Sequence, residues 1–309
     1  MYFFFGDGLI GNQLFQYAFL KTIIKKKSLI ISTNLQELNH FLIIDKKINL
    51  IDIKNKYLIF LFRRIFIWVF VIFSFCKIFS SINVERKNLY GTKIEKKKVV
   101  YKKGLLDITF IYPRFFQSEF FFKEKRILNY KDIKDIHLNK ANLFLSKVPK
   151  RKEKIFIHYR QGRRDLTGTR DDVSKYTLED YKRIKFLGLE GIALPDKYYT
   201  EMIKFFKKRV KNPYFIILTD NTDRAKKTFS QLKEKIISHN DQYVDLTIMA
   251  CCQNGIMSNS SISWWGGFLM KKRKILIGTK YWLGWKRKIT FQAGGEPSFA
   301  KLIDPNKFI

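Results

Sequence analysis

Apolar residues in this chain change their spacing from one segment to the next, and the changes mark out alternating strands and helices. Residues 2–5 are a continuous apolar run, followed by Gly6, Gly8 and Gly11. Residues 12–26 then carry Leu14, Phe15, Ala18, Phe19 and Ile23 at the three-and-four spacing of a helix face, and residues 28–32 return to a strand-like run. Further on, residues 83–103 are charged and irregular, and residues 110–122 are aromatic. Val148, Pro149, Lys150 and Arg151 read as a linker between a first lobe over residues 1–150 and a second over 151–309. The second half is more regular. It predicts a strand over 155–158, a long insertion, a helix over 195–210 with Pro195 in its first turn, and a strand over 214–218. Helices over 222–235 and 244–252, a strand over 255–257, a helix over 261–270 and a strand over 275–277 follow. Strands alternating with helices predict an α/β fold built on parallel sheet.

Composition narrows this picture. At 309 residues the chain suits two domains of about 150 residues each. Hydrophobic content of 46% with 30 Phe supports large cores. Its 3 cysteines, Cys76, Cys251 and Cys252, make no disulfide framework and point to a reducing cytoplasm. The formal charge of +33 fits nucleic acid, an anionic membrane face or acidic polysaccharide, or else the Lys-, Ile-, Phe- and Asn-rich usage of a biased genome. The basic residues are scattered over both halves without a nucleic-acid-binding signature, so no nucleic-acid partner is expected. Residues 57–79 resemble a membrane span, but Arg63 and Arg64 break the run to about a dozen apolar residues where a span needs about 20. A buried core helix is expected there, with an interfacial helix touching anionic lipid as the alternative. With Gly6 so close to Met1, no leader or anchor is expected before the first strand.

Three segments carry candidate chemistry. Residues 259–269 read Asn-Ser-Ser-Ile-Ser-Trp-Trp-Gly-Gly-Phe-Leu. A serine pair opening a helix after a strand offers hydroxyls and backbone N–H groups to an anion, or simply caps a helix followed by two core tryptophans. In residues 154–165 a strand-like run ends in His158 and Arg160, where a planar, permanently charged guanidinium can meet a diphosphate bidentately. The glycines between residues 6 and 11 permit a tight turn and close backbone approach to a ligand, although their spacing is not the dinucleotide fingerprint.

Together these segments resemble the α-1,2-fucosyltransferases of glycosyltransferase family 11. That family's patterns run Gly-Leu-Gly-Asn-Gln-Met-Phe-Gln-Tyr-Ala, Phe-Gln-Ser-Glu, His-x-Arg-Arg-Gly-Asp, Ser-Asp-Asp and Asn-Ser-Ser-Phe-Ser-Trp-Trp. Here they stand, in the same order, at residues 8–18, 116–119, 158–163, 219–221 and 259–265, and Asp245-Leu246-Thr247-Ile248-Met249 matches a further Asp-Leu-x-x-Met stretch. Two departures stand out: Gln161 replaces the second arginine, and Arg163 replaces the carboxylate, which leaves Asp165 as a displaced acid.

The resemblance implies a GT-B-like architecture, with two Rossmann-like lobes facing a cleft and the nucleotide in the C-terminal lobe. It implies an inverting galactoside 2-α-L-fucosyltransferase acting on GDP-β-L-fucose and a galactose-containing surface glycan precursor, without metal or other cofactor. Arg160 would hold the β-phosphate. His158 and Asp245 would address the guanine, Thr219 and Asp220 would line the same cleft, and Ser260 and Ser261 would complete the diphosphate seat. Gly11, Asn12 and Gln13 would close over sugar and phosphates, with Asn12 also assigned to catalysis. Glu119, Asp7 and Asp165 are the candidate general bases. The competing readings are a basic peripheral protein, derived from a transferase, that binds an anionic membrane or nucleic acid, and a transferase using another nucleotide sugar. The expected location is the cytoplasm, peripheral on the inner membrane face.

Overall fold

A computed structural model of the protein describes residues 1–23, 28–46, 48–84, 99–122, 127–161, 193–288, 290 and 294–309. The described residues form two compact units that divide between Leu128 and Asn129. This division falls earlier in the chain than the linker expected near residue 150.

The first unit is a six-stranded sheet in the order β3-β2-β1-β6-β4-β5. Its elements are β1 (Tyr2–Phe5), α1 (Ile10–Ile23), β2 (Leu29–Thr33), α2 (Gln36–Phe41), β3 (Asn49–Ile53), α3 (Lys56–Leu61), a π turn (Phe62–Phe66), α4 (Ile67–Phe75), β4 (Phe79–Val84), β5 (Val99–Lys102) and β6 (Leu106–Ile111). The strands run parallel except for β5, which pairs antiparallel with β4 at the edge. β1 is central, with Phe4 and Phe5 buried, in keeping with its unbroken apolar run. Strands β3 to β6 were not legible as separate elements, because charged residues and a helix of high apolarity interrupt the period-two pattern. Residues 57–79 are corrected here. The helix through α3, the π turn and α4 is not a core helix: Tyr57 and Phe75 are each 86% exposed and Trp68 is 66% exposed.

The second unit is a parallel six-stranded sheet in the order β12-β11-β10-β7-β8-β9. Helix α5 (Asp135–Leu145) enters it, followed by β7 (Glu153–Tyr159), α6 (Asp196–Arg209), β8 (Pro213–Thr219), α7 (Thr222–Thr228), β9 (Lys235–Ile237), α8 (Gln242–Cys251), β10 (Asn254–Ile256), α9 (Ser261–Phe268), β11 (Ile275–Thr279) and β12 (Lys301–Ile303). Burying both faces of β7 and β8 explains their continuous apolar sequences. Two expectations are corrected. Pro195 is the N-cap of α6, one residue before the helix proper. The helix expected to run to residue 235 stops at Thr228, after which Phe229 and Leu232 turn into the core and Lys235–Ile237 pairs with β8. The β-branched pair Ile236 and Ile237 fits a strand better than a final helical turn.

Candidate active site

The strand order of the second unit reverses between β7 and β10: successive strands step outward from β7 through β8 to β9, then from β10 through β11 to β12. Ligands of open parallel sheets bind beyond the carboxyl ends of the strands at such a reversal. His158 near the end of β7 and Ser258 just past β10 meet there, with 2.7 Å between Nδ1 and Oγ. Gly255 lets the two strands approach, since a Cβ on it would sit 2.1 Å from the Phe156 ring. His158 is buried, which pushes its pKa down to about 3, with the nearby Arg160 charge adding to the effect. The imidazole is therefore neutral at physiological pH and serves as a fixed hydrogen-bonding group. An unfolded histidine titrates near 6.5, so the folded state takes up fewer protons below that pH, and stability falls as pH drops through about 6.5. His158→Gln is expected to flatten this part of the acid denaturation curve. Thermal unfolding of both proteins between pH 7 and pH 5 (about the window in which a free imidazole titrates) checks it, and parallel curves would remove His158 from the account.

Arg160 follows at once. Its Nε lies 3.2 Å from Oδ2 of Asp220 at the end of β8, while Oδ1 of the same carboxylate accepts the Gln161 backbone N–H at 3.0 Å. Asp220 therefore orients the arginine loop with both oxygens, and the helix-capping role belongs to Asn221, whose side chain accepts from Arg224 N. Thr219 donates to the Tyr159 carbonyl at 2.9 Å, tying β8 to β7 beyond their ladder. Between His158 and Arg160, Tyr159 is buried, and its hydroxyl donates to Asp196 at 2.6 Å and receives Arg224 Nε at 2.9 Å. Arg224 also pairs with Asp196 at 3.0 Å. This network holds the strand end that presents Arg160. Gln161 is 3% exposed, and its side-chain amide has no partner among the described residues.

Asp245 lies inside the first turn of α8. Asp241 is that helix's cap, accepting from the N–H groups of Tyr243 and Val244. The Asp245 carboxyl instead accepts the Ser238 hydroxyl at 2.5 Å, and Asn240 Nδ2 donates to the same hydroxyl at 2.9 Å. Burial raises its pKa to about 7. At the start of α9, Ser260 occupies the N-cap position without making a side-chain cap bond, and Ser260 and Ser261 are half-buried. Asn259 behind them accepts a short hydrogen bond from Thr279. Trp264 and Trp265 are fully buried in a T-shaped pair 5.0 Å apart, and Gly266 lets α9 close on Met249. The second half of the motif is therefore core, as its two tryptophans suggested, while its first half places half-buried hydroxyls at a helix N-terminus.

The first unit repeats the arrangement. Its strand order reverses between β1 and β6, and there Gln117 Nε2 donates to Asn12 Oδ1 at 2.6 Å. Gly8 has φ +80 and abuts Asn12, so a side chain at position 8 would be both strained and blocked. Gln13 is fully buried, donating to the Gly8 carbonyl at 2.9 Å and accepting from Leu38 N at 2.9 Å, which fixes the shape of the glycine loop. Gly11 is buried in the first turn of α1. Asp7 accepts from Gly8 N, and Glu119 opens a 3-10 turn after Ser118. Arg163 and Asp165 lie outside the described residues.

The residues that sequence reading missed are Ser258, Ser238, Asn240, Gln117 and the Tyr159 network. Gln117 stood inside a motif from which only Glu119 was taken. The serines are single hydroxyls whose partners are about 100 and 7 residues away, a relation that no local spacing reveals.

Comparison with known proteins adds an independent finding. The family model of glycosyl transferase family 11 matches residues 7–293. An alpha-1,2-colitosyltransferase from Escherichia coli is 26% identical over 269 residues, covering 85% of each chain. The O-antigen biosynthesis glycosyltransferase WbnK from Escherichia coli is 27% identical over 101 residues, which cover 31% of this chain and 33% of the relative. Among solved structures, the fucosyltransferase NodZ from Bradyrhizobium superposes with a TM-score of 0.46 at 8% identity, over 87% of this chain and 92% of that one. POFUT1 in complex with GDP-fucose gives 0.45 at 12% identity, over 89% and 97%.

Proposed function

The chain belongs to glycosyl transferase family 11, and on that premise we propose that it is an inverting α-1,2-fucosyltransferase moving fucose from GDP-β-L-fucose to a galactose-type hydroxyl of a surface glycan precursor. The observation that carries this reading is Arg160, held by Asp220 at the carboxyl end of β7 beside the strand reversal. As the bond between the sugar and the β-phosphate breaks, negative charge grows on the leaving diphosphate, and a guanidinium already oriented there stabilises it without reorganisation. Ser260, Ser261 and the α9 N-terminus supply hydroxyl and backbone donors to the same anion. The acceptor hydroxyl attacks from the opposite face of the sugar and loses its proton to a carboxylate, for which Glu119, Asp7 and Asp165 are the candidates.

In this reading the second unit holds the nucleotide in a GT-B arrangement, and Arg160 with the helix terminus supplies the positive charge that a divalent ion gives in other transferases. The enzyme is accordingly proposed to need no metal, and its free cysteines suit the cytoplasmic side of the membrane. The test is thermal stabilisation by GDP in EDTA, followed by transfer assays with GDP-fucose and GDP-colitose on galactosides. Saturable stabilisation and a 2-linked fucosyl product support the reading. A response only to polyanions would overturn it in favour of a basic binding protein. Preference for GDP-colitose would move the transferred sugar toward the colitose for which the Escherichia coli relative is named.

Asp245 gives a pH dependence of defined sign. As an ionised carboxylate it can accept the paired N–H groups of guanine, and as a neutral acid it cannot accept both. With its pKa raised to about 7, GDP affinity is expected to rise as pH increases through that value. Asp245→Asn is expected to weaken GDP binding about tenfold and abolish this rise. Isothermal titration at several pH values reads both effects, and an unchanged affinity in the variant would detach Asp245 from the base.

A further inference from the structure

The helix through residues 56–75 has one face that the other described residues do not cover. Its inner face packs on the first unit's sheet: Phe70 is buried, with ring centroids 4.5 Å from Phe3 and 5.4 Å from Phe110, and Ser74 is buried one turn later. The outer face presents Tyr57, Phe60, Ile65, Trp68, Ile72 and Phe75, all between 53% and 86% exposed. Their spacings are 3, 5, 3, 4 and 3 residues, and the interval of five spans the π turn at Phe62–Phe66. That wider turn takes up one residue and keeps the stripe on one side of the helix.

Basic groups frame the stripe. Arg64 is exposed midway, and Lys54 and Lys77 are exposed at the two ends. Leu105, 86% exposed, is brought against the C-terminal end by the bond from its N–H to the Lys77 carbonyl at 2.9 Å, with exposed Lys102 and Lys103 in the same turn. At this end opens a cavity of about 280 Å³ whose lining includes Ser74, Phe75, Lys77, Ser81, Asn83 and Lys102 and, among the described residues, no acidic side chain. The Ser74 hydroxyl is buried and has no hydrogen-bond partner among the described residues.

We propose that this helix docks the protein on an anionic lipid bilayer, lying in the plane of the interface with its aromatic stripe among the acyl chains and a lipid phosphate in the cavity between Lys77 and Lys102. By length and mean hydropathy the segment could cross a membrane, yet its inner face is committed to the sheet and Arg64 sits halfway along it. Those two facts favour lying on the bilayer over spanning it, because a spanning helix must satisfy lipid all round and a central charge is costly there. Trp and Tyr at the stripe suit the head-group boundary, and the basic rim complements phosphate. This inference stands whichever sugar the enzyme transfers.

Trp68 provides the probe, because the other four tryptophans, Trp264, Trp265, Trp282 and Trp285, are at most 2% exposed. Full-length protein is mixed with phosphatidylcholine vesicles with and without phosphatidylglycerol, and flotation and quenching by brominated lipid are measured. The expected result is binding to the phosphatidylglycerol vesicles that weakens with salt, and quenching that disappears in Trp68→Phe. Phe60→Ser/Trp68→Ser/Phe75→Ser is expected to lose at least about tenfold in partitioning, and Lys77→Glu/Lys102→Glu about tenfold on anionic vesicles alone. All five positions are exposed, and GDP-induced stabilisation verifies folding of each variant. Failure of the parent to bind, or equal binding by the triple variant, overturns the proposal. So does a dimer in sedimentation that the triple variant disperses, since a second copy would then cover the face. Equal binding by the double lysine variant overturns the phosphate seat.

Discussion

Arg160→Ala is expected to lower kcat/KM for sugar transfer at least about a hundredfold, equivalent to roughly 2.7 kcal/mol of transition-state stabilisation. The guanidinium is partly exposed and bonds to Asp220 through Nε, so its loss leaves the sheet's core contacts untouched. Thermal stability should therefore change by no more than about 0.5 kcal/mol, the range of ordinary surface substitutions. Asp220→Asn tests the orienting role separately. It keeps an oxygen for the Gln161 N–H but loses the charge that fixes Arg160, and about a tenfold loss is expected, smaller than that of the arginine itself. Steady-state kinetics with GDP-fucose read both variants. A loss below about tenfold for Arg160→Ala would remove it from the diphosphate.

The largest stability effect is expected at Trp264. Its ring is fully buried against Trp265, stacked on Phe268 at 5.2 Å and edge-on to Phe299 at 5.0 Å. Trp264→Ala should cost about 3–5 kcal/mol, the range for removing a buried aromatic residue. In a unit of this size that corresponds to a fall in Tm of roughly 6–20 °C. Because α9 carries Ser260 and Ser261 at its start, loosening it should also weaken GDP binding in protein that is still folded. Calorimetry checks the first effect and titration below the transition checks the second. A fall of less than about 1 kcal/mol would mean that neighbouring rings refill the site.

How much of this was legible depended on the range of the interaction. The run of residues 2–5, the helical spacing after it and the apolar strands at β7 and β8 are local signals, and the structure has elements within a few residues of each. The segment after α7 was misread because Phe229 and Leu232 continue a helical spacing while serving as core residues of a loop. Residues 57–75 were misread for the opposite reason. Apolarity is a property of the segment, but burial depends on whether another surface is available to cover it, and here the sheet covers only one side.

The site shows the same division. His158, Arg160, Asp220, Asp245 and the serine pair stood out as candidates from residue type and motif order, because strand ends and helix starts are local features with known chemistry. The sequence by itself thus determined the α/β class, the family and the positions at which charged and hydroxyl groups emerge from strands. The tertiary structure alone decided which of those groups meet. It set Ser258 against His158 and Gln117 against Asn12 at the two strand reversals, and it gave both oxygens of Asp220 to the arginine loop. It also desolvated the half-buried Asp245, which raises its pKa to about 7. Each of these outcomes depends on contacts between segments distant in sequence or on desolvation by the assembled fold, and neither quantity is a function of local residue order.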